Sequence, residues 1–120
     1  MNNLNDESLF TKGLEYYKKN QLEDSLNFLV KIKKKNLNTL KLISIILIKK
    51  NDIKNAKIAL NKILSYDKKN LFAINSLGDL YKIEKNYINA EIFFKKSISC
   101  DKNFVPGYFN LASLYEDKGE

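Results

Sequence analysis

Apolar residues recur along the chain at intervals of three and four positions, which is the spacing of one face of an α-helix. Ile74, Leu77 and Tyr81 follow it in the middle of the chain. Breakers, mostly asparagine, interrupt the pattern where helices should end, and Pro106 stands where the first turn of a helix accepts proline. The pattern predicts an all-α chain of about seven helices, near residues 6–19, 22–35, 38–50, 53–66, 71–84, 87–100 and 105–118.

The same residue types return at the same places every 34 residues, with no gap. Counted from Leu37, Leu71 and Val105, the fourth, seventh and eleventh places are apolar or aromatic, and the eighth place is small. The eighth-place residues are Ser44, Gly78 and Ala112, the twentieth-place residues are Ala56 and Ala90, and the twenty-fourth-place residues are Leu60 and Phe94. Small residues at the eighth and twentieth places should let two helices approach closely. Such a period indicates stacked repeats.

The N-terminal part fits the same template from Asp6, with 31 residues and with Lys12 at the seventh place, where an apolar residue is expected. We therefore predict one repeat array over residues 1–120, with units at about 6–36, 37–70 and 71–104 and a partial unit at 105–120. The isoleucine-rich run Leu42–Ile48 alone suits a β-strand. The repeat register instead predicts a helix there, in the middle of the array.

The repeat resembles the tetratricopeptide repeat (TPR), and its clearest copy is Ile74–Asp101, "INSLGDLYKIEKNYINAEIFFKKSISCD". The resemblance covers nearly the whole chain and implies antiparallel helix pairs stacked as a right-handed superhelix, an α-solenoid. Two features depart from the family pattern, at the proline near each unit's end and at the glycine between paired helices. The replacements are Lys68 and Lys102 for the proline, and Asn20, Asn51 and Lys85 for the glycine, which survives only as Gly119.

The composition argues against an enzyme, a cofactor and a metal site. All 21 basic residues are lysine, and the chain has no histidine and no arginine, so the commonest general base, metal ligand and bidentate phosphate reader are missing. Cys100 lies at a predicted helix end and is interpreted as a small packing residue. The chain has one cysteine, which favours a reducing, cytoplasmic location. The polar N-terminus does not resemble a signal peptide.

Positive charge is concentrated in residues 31–69, which hold twelve lysines and two aspartates within a chain of net charge +7. Such a segment attracts nucleic acid, membrane lipids or acidic proteins. We interpret most of these lysines as solvated helix ends and loops, and expect no specific nucleic-acid binding. No membrane span is expected either, because the longest apolar run, Leu42–Ile48, is far too short.

The TPR resemblance implies a binding groove lined by the first helix of each repeat. Mapping the family's groove places onto this sequence gives Phe10, Tyr17, Lys41, Ile45, Lys49, Phe72, Asn75, Asp79, Lys82 and Asn110. Some TPR proteins hold a chaperone's C-terminal carboxylate with lysine and asparagine at such places. Ile45 stands where that asparagine is needed, and Phe72 and Ser76 replace expected basic residues, so a chaperone clamp is not predicted.

We therefore predict a protein–protein interaction module or scaffold that binds an unidentified protein or peptide segment with some acidic residues in the groove. Two alternatives stay open: the N-terminal TPR portion of a larger enzyme, such as a glycosyl- or sulfotransferase, and a lysine-rich binder of nucleic acid or membrane surface. The last predicted helix has the pattern of a first helix awaiting its partner. This predicts either a truncated array or self-association through the C-terminal end.

Overall fold

The computed structural model describes residues 4–119. Within them the chain forms seven helices and no strand, as predicted. The helices are α1 Asp6–Lys18, α2 Leu22–Leu29, α3 Leu37–Lys49, α4 Ile53–Tyr66, α5 Leu71–Ile83, α6 Tyr87–Cys100 and α7 Val105–Asp117. Contacts group the chain into two compact units, Met1–Ala59 and Leu60–Glu120, and the boundary falls inside α4. That residues 1–120 form a single array stays a prediction.

Asparagine side chains begin four of the helices. The Oδ1 atoms of Asn5, Asn36, Asn70 and Asn86 accept backbone N–H groups three residues later, at 2.8–3.2 Å. An N-cap of this kind satisfies one of the N–H groups that the first turn leaves without a partner in the helix. The abundance of asparagine therefore has a structural use at these positions.

The turns between paired helices use the left-handed backbone conformation. Asn20, Asn51, Lys85 and Gly119 have φ of 59°, 60°, 62° and 78°. After α1, the N–H groups of residues 20 and 21 donate to the carbonyls of Tyr17 and Tyr16, both at 2.9 Å. This pair of hydrogen bonds is the Schellman motif. The residues that replace the family glycine thus keep the turn that glycine makes.

Helix α2 is shorter than predicted. It ends at Leu29, six residues before the expected end near residue 35. The exit segment is held by side chains, because the Asp6 carboxylate accepts the N–H groups of Lys33 and Lys34, both at 3.0 Å. The Lys35 ammonium donates to the carbonyl of Ile32 at 2.6 Å. These contacts take the place of the helical hydrogen bonds that a longer α2 would make. They fit the predicted length of the first repeat, 31 residues.

We call the compact unit Met1–Ala59 the first unit and the compact unit Leu60–Glu120 the second unit. In the first unit, α1 and α2 approach each other through the predicted small residues. The Ser25 hydroxyl donates to the carbonyl of Gly13 at 2.5 Å, and Ser25 is fully buried. A Cβ atom at Gly13 would lie 2.6 Å from Leu29 Cδ2, so the second helix occupies the space that a larger residue would need. Helix α3 supplies half of this unit's buried apolar residues: Leu40, Leu42, Ile43, Ile46 and Leu47. The run Leu42–Ile48 is therefore a packed helix, as the register predicted.

In the second unit, α5 and α6 repeat that arrangement with larger residues. A Cβ atom at Gly78 would lie 2.5 Å from Phe94 Cε1, and Phe94 and Ala90 are fully buried. Leu114 of α7 joins them in one cluster. The small eighth and twentieth places were predicted to allow close helix contact, and the pairs α1–α2 and α5–α6 confirm it.

Candidate functional site

In the first unit, the predicted groove residues lie on α1 and α3. Phe10, Tyr17 and Ile45 are half-buried, whereas Lys41 and Lys49 are exposed. The Lys49 Nζ atom lies 4.9 Å from the centroid of the Tyr17 ring, within the range of a cation–π interaction. The structure therefore brings Tyr17 and Lys49 together on the exposed side of two first helices.

Phe10 also lines an open pocket of about 510 Å³. Its lining includes the apolar residues Phe10 and Ile32. The other lining residues are polar or charged: Asp6, Glu7, Thr11, Lys34, Asn36, Asn38 and Thr39. A concave site with this mixed lining suits one apolar side chain of a ligand, with hydrogen bonds around it.

The role of Asp6 in holding the exit of α2 was not predicted from the sequence. The hydrogen bonds from the backbone of Lys33 and Lys34 lower the pKa of the Asp6 carboxyl. One sequence signal could have found it. Asp6 occupies the first place of its repeat, where the other repeats carry the apolar residues Leu37, Leu71 and Val105.

In the second unit, the predicted residues lie on α5 and α7 and are hydrogen-bonded to one another or to near neighbours. The Asn110 amide donates to Asn75 Oδ1 at 2.8 Å. The Lys82 ammonium donates to the Ser113 hydroxyl at 2.7 Å and lies 3.5 Å from Asp117 Oδ2. This surface is therefore a polar ladder between two first helices, in contrast to the lysine and tyrosine of the first unit.

Phe72 and Asp79 are the remaining predicted residues of this unit, and both are half-buried. Burial raises the pKa of the Asp79 carboxyl, and the positive charge of Lys82 offsets part of the effect. The structure places all ten predicted residues on first helices, and it brings together Tyr17 with Lys49 and Asn75 with Asn110. That all ten line one groove stays a prediction.

Several lysines of the basic segment and its neighbours have local structural contacts. Lys35 donates to backbone carbonyls at the exit of α2. The Lys31 Nζ atom lies 5.7 Å from the centroid of the Phe28 ring, and Lys50 forms an ion pair with Glu23. These contacts fit the interpretation that the lysines stabilise helix ends and loops.

The side chains with most chemical reactivity are scattered. Cys100 is half-buried and has a free thiol. The Tyr115 hydroxyl donates to Glu91 at 2.7 Å, and this bond lowers the pKa of Glu91 and raises that of Tyr115. Among residues 4–119, no three carboxylate or thiol groups come together as metal ligands. In the same part of the chain, no helix has the length and apolar run needed to cross a membrane.

Paired antiparallel helices in a 34-residue register, small residues at each pair's contact and polar first-helix surfaces define an all-α solenoid of helical repeats. The chain belongs to the tetratricopeptide repeat family. The family profile matches residues 42–70 and 73–104, and the sequence-based recognition is therefore confirmed. No curated protein matches the sequence.

Solved TPR structures share the fold at low sequence identity. A tetratricopeptide repeat protein from Parabacteroides merdae superposes with a TM-score of 0.90 at 22% identity, over 98% of this chain and 47% of that one. MamA superposes with a TM-score of 0.85 at 21% sequence identity, over 96% of this chain and 69% of that one. The first TPR of Spaghetti (RPAP3), bound to the HSP90 peptide SRMEEVD, superposes with a TM-score of 0.83 at 12% sequence identity. The superposition covers 96% of this chain and 94% of that one. At these identities the likeness concerns the fold alone.

Proposed function

We propose that this protein is an interaction module that binds a peptide segment of a partner protein on its first-helix surfaces. The observation that carries the proposal is the contact between the exposed Lys49 of α3 and the half-buried Tyr17 of α1. A lysine at this position attracts a carboxylate at long range, and the ring offers contact area. Lys41 and Ile45, four residues apart on α3, also offer a positive charge and an apolar side chain.

The ligand that fits the first unit is an extended or helical segment with acidic residues and an apolar anchor. The pocket beside Phe10 has room for one large side chain, and its polar lining residues offer hydrogen bonds to the ligand backbone. Lys34 lines the pocket, Lys41 follows the lining residue Thr39 by two positions on α3, and Lys49 ends the same helix; all three lysines are exposed. An acidic residue next to the anchor can therefore pair with Lys34 or Lys41, and one farther along the ligand with Lys49.

The comparison structures support the class of ligand and no closer detail. The Spaghetti TPR is bound to an acidic peptide, SRMEEVD. This chain carries Ile45 where a chaperone clamp needs asparagine, so we do not propose a chaperone C-terminus as its ligand. No residue receives a catalytic role and no cofactor is required. A reducing, cytoplasmic compartment is part of the proposal, and the free thiol of Cys100 agrees with it.

A peptide array tests the proposal. Peptides that combine an aromatic or leucine anchor with two or three carboxylates are compared with versions in which glutamine and asparagine replace the acids. We expect the wild type to retain the acidic peptides and Lys41→Glu/Lys49→Glu to lose them.

Lys54→Glu/Lys62→Glu is the matched control, because it makes the same charge change on α4, a second helix. Lys62 resembles Lys49 in lying over a tyrosine ring, with its Nζ atom 5.3 Å from the Tyr66 centroid. If both double variants lose the peptides equally, net charge explains retention. If both retain them like the wild type, the first-helix lysines are not the recognition surface. Self-association through the C-terminal end, expected from the sequence, stays a prediction.

A further inference from the structure

The pocket beside Phe10 has two nearly buried residues in its lining. Ile32 is 2% exposed and Thr39 is 3% exposed, whereas the other lining residues are half-buried or exposed. Residues that line an open pocket and expose so little surface lie at its bottom. We name Ile32 and Thr39 the pocket floor.

The hydroxyl of Thr39 is a polar group that the protein itself leaves without a partner. The backbone N–H of Thr39 donates to Asn36 Oδ1 at 2.9 Å, but within residues 4–119 the side-chain hydroxyl makes no hydrogen bond. In that part of the chain, every side-chain oxygen or nitrogen atom that is sealed from solvent has a partner. The Thr39 hydroxyl is therefore reached from outside, and the pocket is the opening that Thr39 lines.

The other buried hydroxyl groups show that this one is unusual. Four polar residues are buried in the part of the chain that the structure describes, namely Ser25, Thr39, Ser44 and Ser97. The three serine hydroxyls donate to backbone carbonyls at 2.5, 2.7 and 2.7 Å. A buried hydroxyl without a partner is unfavourable, so the exception at Thr39 calls for an explanation. A ligand group that completes its hydrogen bonds supplies one.

The surroundings of the Thr39 hydroxyl limit which ligand group fits. Phe10 and Ile32 offer apolar contact beside it. Asp6 and Glu7 also line the pocket and disfavour a carboxylate there, while the positive charge of Lys34 disfavours a cation. The group that fits is therefore neutral, with an apolar body and a polar tip.

The start of α3 adds a requirement for a hydrogen-bond acceptor. The Asn36 cap satisfies the N–H of Thr39, and among the described residues the N–H groups of Leu37 and Asn38 have no hydrogen-bond partner. Asn38 lines the pocket next to Thr39. A ligand tip that carries an oxygen can accept a hydrogen bond here as well as donate one.

We propose that the pocket floor selects tyrosine as the anchor residue of the bound peptide. The phenol ring lies against Phe10 and Ile32, and its hydroxyl exchanges a hydrogen bond with the hydroxyl of Thr39. Phenylalanine and leucine fill the apolar part but leave Thr39 unpaired, and the indole N–H of tryptophan can donate but not accept. This inference rests on the proposed peptide-binding function and names the side chain that the pocket takes.

The first test compares peptides of one acidic sequence that differ only in the anchor, which is tyrosine, phenylalanine, leucine or tryptophan. We expect the tyrosine peptide to bind about fivefold more tightly than the phenylalanine peptide, the effect of one hydrogen bond between neutral groups. Equal affinities would overturn the tyrosine anchor and leave the binding of acidic peptides standing. If no peptide of the series binds, the proposed function fails and this inference fails with it.

Thr39→Val removes the hydroxyl and keeps the shape of the side chain. We expect this variant to bind the tyrosine and phenylalanine peptides equally. Thr11→Val is the matched control, because it makes the same change in the same pocket at a hydroxyl that already donates to the carbonyl of Glu7 at 3.0 Å. The control should keep the fivefold preference. If Thr39→Val keeps the preference, or Thr11→Val loses it as fully, Thr39 is not the selecting residue.

Urea unfolding without any peptide tests the unpaired hydroxyl itself. Thr39→Val should be at least as stable as the wild type, because it removes a buried polar group that has no partner and the two residue types have similar helix propensities. Ser25→Ala removes a buried hydroxyl that has a partner, and it should be less stable than the wild type. A loss in Thr39→Val as large as that in Ser25→Ala would show that the folded chain already pairs the Thr39 hydroxyl, and the proposal would fail.

Discussion

The helix pairs α1–α2 and α5–α6 solve the same packing problem with different amounts of helix. In both, a glycine at the eighth place is covered by a large residue from the following helix, Leu29 or Phe94. Yet α2 has 8 residues and α6 has 14. The difference begins after the covering residue, since α2 ends at Leu29 whereas α6 continues to Cys100. The part of the second helix up to the covering residue is therefore what the pair requires.

Beyond that contact, the two pairs satisfy their backbone groups in different ways. In α6, the helix continues to Cys100, and its further turns satisfy these backbone groups with helical hydrogen bonds. After α2, the Asp6 carboxylate accepts two N–H groups, and Lys35 donates to the carbonyls of Val30 and Ile32. The comparison teaches that a repeat of this family tolerates the loss of a helical turn when side chains supply the lost hydrogen bonds. Substitutions at the contacts, the turns and two carboxylates test how far the two pairs differ.

The largest effect is expected at the glycine of each pair. Gly78→Ala should lower the free energy of unfolding by about 2 kcal/mol, because overpacking against the Phe94 ring outweighs the better helix propensity of alanine. Gly13→Ala should lose less, about 1 kcal/mol, because the branched end of Leu29 can change rotamer while a ring cannot bend. Urea unfolding measures both, with Ser99→Ala as the exposed control. Equal losses would mean that the two contacts are equally rigid.

The turns offer the next test. Lys85 has a side chain in the left-handed conformation, which costs about 1–2 kcal/mol for most residues. Lys85→Gly should therefore raise stability by about 1 kcal/mol, after allowing for the greater freedom of glycine in the unfolded chain. Asn20→Gly should gain only a few tenths of a kcal/mol, because asparagine tolerates this conformation. Thermal unfolding of the two variants decides it, and a loss of stability in Lys85→Gly would contradict the prediction.

A smaller, pH-dependent effect is expected at Asp79. Burial raises its pKa in the folded chain, so the protonated form favours folding. This contribution is complete below the usual aspartate range and is lost as the pH rises through the raised pKa. Asp79→Asn should therefore match the wild type near pH 3 and be more stable near pH 7. Unfolding curves across that range measure the difference, and a variant less stable at neutral pH would show that the ionised carboxylate has a favourable partner.

The smallest effect, of opposite sign, is expected at Asp6. Hydrogen bonds lower its pKa in the folded chain, so the ionised form favours folding. That contribution is complete above the usual aspartate range and is lost as the pH falls through the lowered pKa. Asp6→Asn should be less stable than the wild type at neutral pH and nearly equal to it in acid. Hydrogen exchange at the N–H groups of Lys33 and Lys34 should rise in the variant, and unchanged exchange would mean that the carboxylate does not hold the exit of α2.

Much of the fold was predictable because it depends on local and periodic features. The spacing of apolar residues located seven helices, six of them to within one residue at each end. The small eighth and twentieth places marked the close contacts, and the places where the family carries glycine marked the turns that the structure shows to be left-handed. The end of α2 was predicted wrongly, because propensity does not report a hydrogen bond from Asp6, 27 residues away.

The candidate site was less predictable, because it depends on contacts between helices. Its residues were placed on first helices by the repeat register alone. The sequence did not indicate that Lys49 lies over Tyr17 or that Lys82 binds Ser113 and Asp117. Nor did it reveal the pocket beside Phe10, whose walls come from α1, α3 and the segment between α2 and α3.

By itself, then, the sequence determined the helical class, the repeat register and the positions of turns and close contacts, because each depends on residue type at short range or at a fixed period. Only the tertiary structure decided where α2 ends, which charges pair, that burial raises the pKa of Asp79, and that Ala112 is open while Gly78 is covered. These depend on which side chains approach from other helices, and a distance of a few ångströms between residues far apart in the chain separates a hydrogen bond or a buried contact from none.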